Sequence, residues 1–149
     1  MIKLFIFFFL VIWCAGFLFP VIVPQFPNKI VTEQILKYNY SIVCHQQEAA
    51  SFQSGGNHFL VCARCSGLYL GALLVSVMML IRIFKGRLNL KPLIIFSLPL
   101  VFDALAVRVH LYNYSKVVAF STGLLCGGII IIYIFDALQN QSKHSLNDI

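Results

Sequence analysis

Charge is scarce in this chain, and acid scarcer still. Only 11% of the 149 residues are charged, with five Asp or Glu against eleven Lys or Arg. Soluble globular domains carry about 25% charged residues. With 60% hydrophobic residues and a mean hydropathy of +0.87, this chain lies outside that class and reads as an integral membrane protein. It has no internal repeat and no low-complexity linker, so it reads as a single domain over residues 1–149. The net charge of +6 does not point to nucleic acid, because the basic residues flank apolar segments instead of clustering with aromatics on a soluble face.

Four apolar runs approach the roughly 20 residues needed to cross a bilayer: 4–23, 59–84, 92–111 and 117–138. A backbone in lipid must satisfy its own hydrogen bonds, so all four are expected to be helices. The expected fold is therefore all-α, a four-transmembrane-helix bundle. Lys3 followed by an apolar run resembles a signal peptide, but Trp13 before Cys14 is too large for a small-residue cleavage site. The run also continues to Val23, which favours a retained first span. Its many phenylalanines suggest a lipid-facing helix.

The one long loop, about 25–57, opens after Pro20, Pro24 and Pro27 and contains an apolar stripe from Asn28 to Tyr40 that predicts a short interfacial helix. Ser54-Gly55-Gly56-Asn57 predicts a turn before the second span, and the tail from about Gln139 is expected to fray. Arg82, Lys85, Arg87 and Lys91 crowd the link between spans two and three. That link is expected to be cytoplasmic, with both termini, which puts the long loop on the outer side of the cell (plasma or inner) membrane.

Chemistry-bearing residues concentrate at the mouth of the second span. Cys62 and Cys65 are spaced i, i+3, and His58 precedes Cys62 by four, a spacing that would share one helical face with Tyr69. The loop carries Cys44 and His45. Three thiolates and an imidazole can complete a tetrahedral site, so Cys44, His45, Cys62 and Cys65 are the candidate metal ligands, for zinc first and iron second. His58 is a further ligand or a partner to one. The rival chemistry is thiol–disulfide exchange coupled to quinone, since Arg64 lies beside both cysteines and an outer location permits disulfides. A third reading is a metal that merely pins the loop. Cys14 and Cys126, isolated in apolar spans, read as packing.

Asp103 lies within the third span, where an ionisable residue is expensive and signals a functional site. Asp103, Tyr69 and His58 are the candidate catalytic residues, with Asp103 or His58 as base for metal-assisted chemistry on a lipid or amphiphile. The structural alternative for Asp103 is an ion pair with Arg64 or Arg108. Gly67 and Gly71 on span two, and Gly123, Gly127 and Gly128 on span four, favour close helix packing and offer a face for a homodimer.

These residues form a pattern. Cys44-His45-Gln46, Ser51-Phe52, Cys62-x-x-Cys65-x-Gly67-x-Tyr69-x-Gly71, Pro99, Asp103, Asn113, Thr122-Gly123 and Gly127 resemble the DUF2085 family of small multi-pass membrane proteins. The chain departs from that pattern at Ala50, Ala104 and the start of span four, and His58 stands outside it. The resemblance implies a shared topology and polar site, not a reaction.

Overall fold

A computed structural model describes residues 2–23, 29–54, 57–81 and 90–147. The Gly55-Gly56 turn, Pro24, Pro27 and the basic residues Arg82, Lys85 and Arg87 lie outside the described residues.

The described chain is helical almost throughout. α1 covers Ile2–Ile22, α2 Lys29–Ser41, α3 Ala63–Leu80, α4 Leu90–Arg108 and α5 Lys116–Asn147. A short antiparallel ribbon, β1 Gln53–Ser54 and β2 Asn57–His58, pairs Gln53 with His58 and Ser54 with Asn57. Three stretches among the described residues are long and apolar enough to cross a membrane: Lys3–Ile22, Ala63–Leu80 and Lys116–Leu138. α4 is the fourth long helix. Its 19 residues reach about 28 Å, but it carries Lys91, Asp103 and Arg108.

Several expected boundaries move. Residues 59–62 are not helical, because Leu60 N–H donates to the Phe17 carbonyl (3.3 Å) and Cys62 becomes the extended N-cap of α3. α4 stops at Arg108, where His110 adopts φ 57. The N–H groups of His110 and Leu111 then close back onto the Val107 and Ala106 carbonyls, a left-handed helix stop. The tail expected to fray continues α5 as helix to Asn147.

α3 and α5 form the tightest pair. A Cβ on Gly67 or Gly71 would overlap the Phe120 or Leu124 carbonyl, and one on Gly123 or Gly127 would overlap the Arg64 or Leu68 carbonyl. The backbones touch through both glycine motifs, so the face offered to a partner copy is used within the chain. Ile129, Ile131, Ile132 and Phe135 of α5 pack with Ala72 and Met79 of α3 and Leu10 of α1.

α1 is not uniformly lipid-facing. Phe5, Phe8 and Phe9 are exposed, whereas Phe17 is fully buried. The predicted interfacial helix exists as α2, and it folds back along α1. The Tyr40 hydroxyl donates to the Trp13 carbonyl (2.6 Å), nine residues before the end of α1.

Candidate functional site

α3 begins with the sequence Cys62-Ala63-Arg64-Cys65. As N-cap, Cys62 places both thiols on the first turn, beside the partial positive charge of unpaired backbone N–H groups. α2 delivers the third. After Ser41 the chain turns, with Cys44 N–H donating to the Tyr40 carbonyl (3.0 Å), and Cys44 is buried against the start of α3. The sulfurs of Cys44, Cys62 and Cys65 lie within 4.8 Å of one another, and all three are free thiols.

Backbone amides solvate two of these sulfurs. Cys62 N–H donates to Cys44 Sγ (3.3 Å), and Gln46 N–H donates to the same sulfur. Cys65 N–H donates to the Cys62 sulfur. Gln46 reaches Cys44 by adopting φ 48, a left-handed conformation uncommon for a residue other than glycine, and its side-chain amide is tied to the Lys37 carbonyl (2.8 Å). Hydrogen bonds from the Cys62 and Cys65 thiols, supported by the two amides, hold the Cys44 thiol well below its ordinary value. Donating to that sulfur pushes the Cys62 thiol up. An aromatic wall backs the group. Phe17 and Tyr40 are buried beside Cys44, with Trp13, Phe59 and Tyr69 packed around them.

The other candidates fall in three places. His45 is exposed, outside the gathered sulfurs. His58 sits on β2, not on the helical face that its spacing predicted, and its buried Nδ1 has no hydrogen-bond partner among the described residues. Tyr69 joins the aromatic wall, its ring 6.0 Å from Trp13 and 6.2 Å from Phe17.

Asp103 forms the ion pair. Its Oδ2 lies 2.6 Å from Arg64 Nη2, and its Oδ1 accepts a hydrogen bond from the Tyr112 hydroxyl. Asp103 is 4% exposed and both oxygens are engaged, so it joins α3 to α4 instead of presenting a free base. The Arg64 guanidinium also lies 5.9 Å over the Tyr114 ring. Burial first, and the nearby Cys62 sulfur next, push the Tyr114 phenol up.

The sequence offers Lys116, with Asn113 and Ser115 in the outer turn before the last span, as a roof for the site, but not the partner through which it clamps the loop over the cysteines. Lys116 Nζ donates to the Ser51 carbonyl (2.8 Å), and Phe52 packs edge-on to Phe120. The adjacency of Ser51-Phe52 within the recognised pattern was the available signal, but spacing along the chain gives no hint of a partner 65 residues away.

Residues 44–133 match DUF2085, described as a predicted membrane protein family. The chain belongs to the DUF2085 family. The match opens on Cys44 and takes in all three cysteines of the cluster, the Arg64–Asp103 pair and the glycine faces. An uncharacterised protein of Methanocaldococcus jannaschii is 35% identical over 101 residues, 64% of this chain and 63% of its own length. The chain thus spans less than two thirds of that relative. An uncharacterised protein of Methanothermobacter thermautotrophicus is 28% identical over 95 residues, 62% of this chain and 82% of its own length. No solved structure matches the chain. DUF2085 membership makes this a membrane protein with apolar helices and associates it with the lipid bilayer.

Proposed function

We propose that this protein holds one soft metal ion, zinc before iron, on Cys44, Cys62 and Cys65. The observation that supports this reading is three sulfurs within 4.8 Å, drawn from two separate segments, two of them solvated by backbone N–H groups. Thiolates on a tetrahedral ion at about 2.3 Å stand about 3.8 Å apart, so the sulfurs need to close by only about 1 Å. Structural zinc sites use four protein ligands, whereas catalytic ones keep a position for water or substrate. Three ligands gathered among the described residues favour the open kind. Bound there, the ion would supply a Lewis acid for chemistry on a lipid or other amphiphile. The chain's own residues fix the ligands. The aromatic wall lowers the local dielectric, and Lys116 holds the loop in place.

In this reading the cysteine end of the bundle faces outward, and both termini are cytoplasmic, as the basic link between α3 and α4 directs. Elemental analysis of detergent-purified protein is expected to give about one zinc or iron per chain, lost in a Cys62→Ser/Cys65→Ser variant. Metal-free protein whose thiols oxidise in pairs would replace this reading with thiol–disulfide exchange coupled to quinone. Bound metal whose coordination has no exchangeable position would reduce it to a scaffold.

A further inference from the structure

A second polar feature lies at the same end of the molecule. It is a cavity of about 240 Å³ between α2, the end of α1 and the loop. Its floor is apolar, formed by Pro20, Phe59 and Leu60. Its walls carry both signs of charge. Glu33 and Lys37 come from α2, Glu48 from the loop and His58 from β2. His58, whose buried Nδ1 finds no partner among the described residues, is one of the residues of this wall.

α2 fixes the depth of the cavity. Val31, Ile35, Tyr38 and Ile42 recur at i, i+4, i+7 and i+11 along α2 and the turn that follows it, and all four are exposed. The opposite face of α2 buries Tyr40 against α1 and turns Glu33 and Lys37 to the cavity. α2 folds back beside a helix whose length matches the bilayer core, so its apolar stripe meets lipid tails while its inner face stays polar. The cavity therefore opens where headgroups lie.

We infer that this cavity binds a compact phosphate–ammonium zwitterion of the ethanolamine type, with Lys37 and His58 taking the phosphate and Glu33 and Glu48 the ammonium. Its volume is below the roughly 300–1,000 Å³ of drug-sized sites, which fits a headgroup and not a whole amphiphile. A primary ammonium donates hydrogen bonds to carboxylates, which a choline cannot do. A quaternary ammonium needs an aromatic cage, and Phe59 is the only phenyl ring among the described lining residues. A purely anionic headgroup would meet two carboxylates. The inference does not rest on what the cysteines hold, and metal content measured in the same preparations reports on that separately.

The test uses full-length protein in detergent micelles doped with phosphatidylethanolamine, phosphatidylcholine or phosphatidylglycerol, with thermal unfolding as the readout. Soluble glycerophosphoethanolamine is a further arm. Phosphatidylethanolamine is expected to raise the midpoint more than the other two lipids. Lys37→Gln and Glu48→Gln should each weaken that response about tenfold in lipid concentration, the loss of one charge-assisted contact. A shift with the soluble compound too identifies the headgroup as sufficient, and a shift with the lipid alone shows that the chains are needed. Both support the inference. Equal shifts for all three lipids, a preference for phosphatidylglycerol, or an ethanolamine preference that survives both substitutions overturns it.

Discussion

Gly127→Leu is expected to separate α3 from α5 and leave little folded protein after solubilisation. Even a methyl group at this position would overlap the Leu68 carbonyl, and backbone cannot move aside as a flexible side chain can. Relief requires the two helices to part. That would strip contact from Gly71, whose own missing Cβ lets the Leu124 carbonyl approach. Gly127→Ala is the graded version. Alanine gains about 1 kcal/mol of helix propensity over glycine, so a net loss of about 1–3 kcal/mol would show that the close approach outweighs it. Gly128→Ala is the milder comparison, since a Cβ there meets a Val75 methyl group at 3.0 Å and not a backbone carbonyl. Denaturant titration in mixed micelles reads all three. A Gly127→Leu midpoint equal to wild type would show that α3 and α5 can pack without this contact.

The second large effect concerns the link between α3 and α4. Asp103→Ala should cost about 3–5 kcal/mol, the usual penalty for stripping one partner from a buried ion pair. The lower end is expected, because the Arg64 side chain is 26% exposed and water can recover part of its solvation. Asp103→Asn keeps an oxygen for Arg64 and Tyr112, and should lose less. Replacing Arg64 and Asp103 together by apolar residues of similar volume should be milder than either single change. A double-mutant cycle on unfolding midpoints measures the coupling. Metal content in Asp103→Asn should stay at the wild-type level, which separates a helix lock from a ligand. Independent, additive effects at the two positions would remove the lock from this account.

Much of this arrangement was legible in the sequence, because membrane helices announce themselves locally. The apolar runs located α1, α3 and α5, and the glycine spacing identified the faces that meet. The i, i+3 cysteines were readable for the same reason. Asp103 was marked by its cost in lipid, and Arg64 was one of two partners that the sequence offered. Choosing between Arg64 and Arg108 required the third dimension. So did the left-handed turn at Gln46, which the adjacent Cys44-His45 pair concealed by suggesting that both residues faced one ion. His58 misled because a four-residue spacing implies a shared helical face only if the helix starts early enough. Here the pairing of Gln53 with His58 and the Leu60–Phe17 hydrogen bond hold the chain extended up to Cys62. The cavity was invisible, since its walls come from elements whose relative placement no local pattern encodes.

Trp13 gives the molecule a built-in optical reporter. It is the chain's only tryptophan, and its ring lies 4.8 Å from Tyr40 and 6.0 Å from Tyr69, on the wall behind the cysteines. Intrinsic emission therefore samples one locality instead of averaging over the bundle. Quenching or a spectral shift on adding an ion, an oxidant or a lipid would register at the cysteine end without any label. A disturbance confined to the far ends of α3 and α5 should leave the spectrum unchanged.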